Sequence, residues 1–427
     1  MANNFDKNFT TKLAKGVLDG FESSRVLSKT VNTQKLDGKF NPDSGEKILF
    51  KRPTDFSSNR TQKGDISNLA RSPIIRGNAE GNVQPYITIS VDYDECDEAL
   101  KMGNDLPEFY GSIAKRMVND LESDFAEFVM KNAGLLAGTP GNAVTSWGDV
   151  AQAGAILEAT GVPKDGNACY FVNSFTQVKL ADAQKGLGAG GAAGSLIKTA
   201  YDNATIAKNY AGMNVMTAQS LETYRTPSGN TRAGTIAAEP TATYASVKDS
   251  MIQSIAVAGF QANMVVPAGQ KISVAASKLL NQATRRLAIN GEGNGIAWSG
   301  TVVSQVTLDG TGGGTLQVAG PAIYEADGAY NTVDRHLQAG DAVTMLGAKS
   351  SIIQPNMFWH KNAFSIGSVP IKKLHSTDTT GTTQDGLQIR VSRYSDGDAN
   401  KNIVRFDLRP AYAVLNPYFA GHGHGIS

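Results

Sequence analysis

Two apolar stretches, Ile48–Phe50 and Tyr86–Val91, bracket some 35 mostly polar residues that include Pro53, Gly64, Pro73, Gly77 and Gly81. A connection of that length inside a compact domain is unusual and normally functional. It has too few apolar residues to build a core of its own. The segment therefore reads as a long hairpin arm reaching away from its body, with Lys51, Arg52, Arg60, Lys63 and Arg71 along it. An arm of this kind needs a second molecule to lie on, and its basic residues are expected to pair with acids there.

The residues before the arm point the same way. Phe5, Phe9, Leu13, Val17 and Phe21 fall four apart and make one stripe of a helix, with Lys7, Lys12 and Lys15 on the other side. Asp6, Asp19 and Glu22 are too many acids for a transit peptide or a membrane-surface helix. The stripe is read as an arm that docks on another surface; the alternative is packing on its own domain.

Beyond the arm, Asp105 with Glu108 makes a capping-box start, and Tyr110, Ile113, Met117, Leu121, Phe125 and Phe128 recur every three to four residues up to Gly134. This spacing predicts a spine helix over about 105–134. "SWGDVAQAGAILEATG" and "SFTQVKLADAQ" read as helices around the strand-like "NACYFVN", the pattern of a small α/β domain. Residues 222–348 change character, with short alternating runs such as "QKISVAAS", "WSGTVVSQVTL", "GTLQVAG" and "AGDAVTML". They predict an inserted β-barrel or sandwich, with "KLLNQATRRLAIN" as a helical exception. "LQIRVSRY" and "IVRFDLR" close the chain's second α/β stretch as a hairpin around "SDGDANKN".

Composition removes several function classes. The 40 Lys and Arg nearly cancel the 39 Asp and Glu, so no global field favours tight nucleic-acid binding. The two cysteines, Cys96 and Cys169, make neither a disulfide framework nor a zinc site. No apolar run is long enough to cross a bilayer, and no signal-peptide core opens the chain, so no membrane partner is expected.

The motifs that suggest chemistry fail on context. "KGLGAGGAAGSL" holds a literal G-x-G-x-x-G at Gly186, Gly188 and Gly191, but a helical spacing precedes it where a dinucleotide site needs a strand. Asp396, Asp398, Asn400 and Asn402 alternate like a calcium loop with Asp407 at its twelfth position, yet Lys401 stands where glycine belongs. Asp92, Asp94, Glu95, Asp97 and Glu98 cluster with no histidine near them in sequence, and fit a helix N-terminus. His422 and His424 lie in a tail read as frayed, and no nucleophile, base and orienter assemble among the remaining residues. The chain reads as a non-enzyme with no catalytic residue, metal or cofactor.

The order of these parts resembles the major capsid proteins of tailed phages, with the Hong Kong 97-like fold. More narrowly, it is similar to the coat proteins of short-tailed lambdoid phages (podoviruses) that carry an inserted β-barrel. The resemblance covers nearly the full length and is densest in "FKRPTDFSSNRTQKGDIS", "DLESDFAEFVM", "TATYASVKDS", "QPNMFWHKNAFSIGSVPIKKLHS" and "RYSDGDANKNIVRFDLRPAYAVLNP".

It implies an α+β fold with an N-terminal arm (1–30) and an extended loop (46–86). A peripheral domain would comprise 31–45, 87–149 and 386–427, and an axial domain 150–221 and 349–385, with the inserted barrel at 222–348. Gly186, Gly188, Gly190, Gly191 and Gly194 would then form a loop at the capsomer centre. The implied function is self-assembly, as pentamers and hexamers, into an icosahedral procapsid and then a head enclosing double-stranded DNA. Its implied partners are further copies of the chain, a scaffolding protein and a portal protein, in the host bacterial cytoplasm. The rival readings are a nucleotide-binding enzyme using the loop 186–194 and an exported β-rich adhesin.

Overall fold

A computed structural model describes residues 6–33, 47–52, 54–56, 61–65, 67, 74–94, 106–185, 198, 200, 202–207, 209–326, 328–375, 378–396 and 401–426. Four helical expectations are met. α1 covers Asp6–Ser24, α2 Leu106–Asn132, α3 Trp147–Ala159 and α4 Ser174–Lys185. Ser146 caps α3 in a reciprocal capping box with Asp149. The glycine loop after α4, Asp105, Cys96 and the acids from Glu95 to Glu98 lie outside the described residues. The chain divides into two compact units, 1–50 with 80–126 and 365–413, and 51–79 with 127–364 and 414–427.

In the first unit, Thr379–Thr382, Gln388–Asp396, Lys401–Leu408 and Ile87–Asp94 form an antiparallel sheet in that order. The hairpin expected around "SDGDANKN" is its middle pair. α1 packs on the first two strands, with Leu18 over Gly381. Val17 and Phe21 of the apolar stripe are fully buried there. That end of the stripe is thus covered by its own unit, because the hairpin supplies the apolar face it needs. Phe5 and the side chains of Phe9 and Leu13 lie outside the described residues. On α2, Ile113, Met117, Leu121 and Phe125 are all buried, at the spacing the sequence shows. Each such side chain contributes roughly 1.5–3 kcal/mol on leaving water.

The second unit holds a six-stranded sheet and a barrel. The sheet runs Leu135–Ala137, Ala420–Gly423, Asn356–His360, Ala168–Val172, Met213–Thr217, Asn209–Tyr210. The C-terminal "GHGHG", expected to fray, is one of its inner strands. Gly421 and Gly423 sit where a Cβ would strike Phe358 and Tyr170, so only glycine lets the strands approach, while His422 and His424 are both buried.

The inserted region closes a barrel in the order Ile252–Ala258, Gly314–Ala319, Ala297–Val302, Lys271–Lys278, Ala342–Met345, Ala233–Ile236. Alternation explains it: along the first of these strands Gln253, Ile255 and Val257 are buried and Ser254 is exposed. Trp298 lies buried, its Nε1 donating to Gly320 O and Tyr418 Oη, both at 3.1 Å.

"KLLNQATRRLAIN" is not a helix. Leu280 bridges Leu287, Ile289 bridges Gly295, and Asn281 Oδ1 accepts from the amides of Ala283 and Thr284. This side-chain turn outcompetes the helix that the leucine spacing suggested.

Candidate functional site

The sequence directs attention to the extended segment, and its root is a buried arginine. Arg52 is only 7% exposed. Its Nη1 donates to the carbonyl of Leu415 and its Nη2 to that of Asp249 at 3.1 Å. Burial lowers its pKa to about 10, with Tyr244 and Asp249 opposing the shift. Arg52 is therefore held by two carbonyls of its own chain, where the sequence reading expects it to pair with a neighbour's acid. The basic run as a sequence gives no means of telling this arginine from Lys63, which is exposed. Lys51 is exposed too; Arg60 and Arg71 lie outside the described residues. Between the segment's root and the inserted region lies a cavity of about 270 Å³, lined in part by Arg52, Asp55, Tyr244, Arg285 and Tyr330.

A second cluster surrounds the end of α2. The last carbonyls of a helix have no partner within it. Here Met130 O receives His422 Nε2 at 2.8 Å, and Ala133 O receives Lys271 Nζ at 2.7 Å as well as the hydroxyl of Thr301. Gly134 O receives Ser299 Oγ at 3.2 Å. Burial pushes the pKa of Lys271 well down. It does the same to His422 and takes His424 to about 4, with Lys271 adding to both shifts. Neither Lys271 nor His422 stood out in the sequence, since their partners are backbone carbonyls more than a hundred residues away.

The other chemical candidates resolve into structure. Asp407, the supposed twelfth calcium ligand, is buried between Arg390, Arg405 and Thr88, and Asp398 and Asn400 lie outside the described residues. Asp92 pairs with Lys401 at 2.8 Å on the surface. His360 Nε2 lies 3.1 and 3.2 Å from the two oxygens of Asp165. Burial opposes ionisation of Asp165, yet Asn167 and His360 hold its carboxyl down at about 2.

Among the described residues no three His, Cys, Asp or Glu gather as a metal would require, and no helix is long and apolar enough to cross a membrane. α4 stands directly before the glycine loop, so a helix occupies the place where a dinucleotide fingerprint needs a strand. On it Phe175 is 84% exposed and Val178 is exposed as well.

Comparison with known proteins supplies the context for arms and exposed apolar side chains. The family model for the P22 coat protein, gene protein 5, matches residues 1–424. The major capsid protein of Acyrthosiphon pisum secondary endosymbiont phage 1 is 36% identical over 428 residues, covering 100% of each chain. Solved structures from Mycobacterium phage Che8 (TM-score 0.44, 11% identity, 93% of this chain and 90% of that one) and of the Ralstonia phage GP4 capsid (0.42, 9%, 95% and 91%) are more distant. The assignment rests on the sequence matches, which span the arm, spine helix and barrel together. By those matches the chain belongs to the P22 coat protein family, as a phage major capsid protein.

Proposed function

We propose that copies of this chain assemble as pentamers and hexamers into an icosahedral procapsid, and then a mature head, around double-stranded phage DNA. A scaffolding protein directs the assembly, a portal protein occupies one vertex, and the work takes place in the host bacterial cytoplasm. The chain acts without catalysis or cofactor. The observation that carries this reading is the family match along residues 1–424.

The chemistry supports it. Leu49, Phe56 and Ile74, at or near the segment's root, and Phe175 and Ile352 elsewhere are exposed in the single chain, apolar area that suits burial by neighbouring copies. A formal charge of +1 suits a container that must release its genome, since a strongly basic wall would hold DNA by counterion release. In this reading the extended loop lies over a neighbouring subunit, where Lys51, Arg60, Lys63 and Arg71 meet acids. Phe5, Phe9 and Leu13 dock the N-terminal arm. Gly186, Gly188, Gly190, Gly191 and Gly194 let five or six loops converge at the capsomer centre.

Sedimentation velocity tests the reading. Co-expressed with its scaffolding protein, the chain is expected to sediment as large closed particles. A monomer or small oligomer alone would oppose it.

A further inference from the structure

The extended segment does not leave its body freely. On the outgoing leg, the amide of Asp55 donates to Tyr330 Oη at 2.9 Å and the Asp55 carboxylate pairs with Arg285. On the returning leg, the same Tyr330 hydroxyl donates to the carbonyl of Ile75 at 3.3 Å. Asp249 Oδ1 accepts from the amide of Asn78 at 3.0 Å. The amide of Arg52 donates to Gly77 O at 3.1 Å and so ties the legs to each other. Gly77 itself lies so close to Lys248 O and Tyr244 Oη that a Cβ would come within 2.9 and 3.0 Å of them.

The receiving side is rigid. Tyr330 stacks flat on Tyr244, with ring centres 3.7 Å apart and planes within 3°. Ile75 packs on the buried cluster of Tyr244, Val247, Met251 and Ile323. Arg285 holds a left-handed backbone (φ 55°) and donates to Asn331 O at 2.7 Å. A left-handed arginine persists only where its surroundings over-determine it. Every residue of this receiving side belongs to the inserted region, yet none lies on a barrel strand.

We infer that the inserted region is a clamp for the chain's own arm. Tyr330, Tyr244, Arg285 and Asp249 set the spacing and direction in which both legs depart. The inference rests on the proposal that the arm lies on another copy. An arm fixed at its root has less conformational freedom to lose on docking, so the clamp pre-organises it for assembly.

Amide hydrogen exchange on the purified full-length monomer tests this, and does so whether or not shells form. Tyr330→Phe keeps the ring stack and removes the hydroxyl that joins the legs; Asp55→Asn acts from the arm side. Both variants are expected to exchange about 5–10-fold faster over residues 52–56 and 74–78, as the loss of one hydrogen bond implies. The strands Ala297–Val302 and Gly314–Ala319 are expected to keep their protection. Unchanged exchange in the legs in both variants overturns the clamp. So does a parallel loss in the barrel strands, which would make Tyr330 a barrel residue. A protected, variant-sensitive arm in a chain that never forms shells would leave the clamp standing and overturn the shell reading alone.

Discussion

Lys271 Nζ donates to the carbonyl of Ala133 at 2.7 Å, joining a barrel strand to the end of the spine helix. The side-chain nitrogen is fully buried, and among the described residues its hydrogen-bond partner is that one carbonyl. Thr301 satisfies the same oxygen. Lys271→Met should therefore leave no orphaned acceptor and remove a desolvation penalty. We expect it to raise stability at neutral pH by about 1–3 kcal/mol, read from the urea midpoint. A loss of stability would show that the lysine's hydrogen bond outweighs its desolvation.

His422 and His424 lie against that lysine and give the fold an acid limit. Burial, then Lys271, depresses the pKa of each in the folded state, that of His424 to about 4. An unfolded histidine titrates near 6.5, so the unfolded chain binds protons first as pH falls. The contribution of each is complete above about pH 6.5 and is lost as pH falls, that of His424 as pH drops toward 4. His424→Gln should retain on the order of 3 kcal/mol more of its neutral-pH stability than the parent between those limits. Parallel stability curves would contradict this.

Glu122 on the spine helix accepts from the amides of Leu27 and Ser28, at 2.6 and 3.0 Å, and from the Ser28 hydroxyl. Arg25 donates to Ser28 O and pairs with Asp385 beside it. Glu122→Ala leaves two buried amides unpaired and should cost about 3 kcal/mol, measured by thermal unfolding. Residues 25–31 should lose exchange protection first.

Charge reversal along the arm should split into two classes. Arg52→Glu buries an acid against the carbonyls of Leu415 and Asp249 and should cost about 3–5 kcal/mol of monomer stability. Lys63→Glu changes an exposed residue and should leave the monomer's circular dichroism unchanged while slowing assembly. Equal unfolding by both substitutions would contradict the division.

What could be read from the sequence followed from periodicity. Ile113, Met117, Leu121 and Phe125 announced α2, and alternation in "QKISVAAS" and "GTLQVAG" announced barrel strands at Lys271–Lys278 and Gly314–Ala319. The "GHGHG" strand carried the same period-two signal, with glycines toward Phe358 and Tyr170 and histidines at the alternate positions. Its position at a terminus and its glycine content concealed it. "KLLNQATRRLAIN" misled because a side-chain turn at Asn281 overrode its leucine spacing. The clamp residues were not legible at all. Asp55, Arg285 and Tyr330 meet across more than two hundred residues, and only the three-dimensional fold brings them together.

Negative-stain electron microscopy of the chain co-expressed with its scaffolding protein tests the central claim most directly. Closed, uniform icosahedral particles built from this chain are the predicted result. A field of dispersed monomers or unclosed aggregates, from a chain shown to be folded, would contradict it.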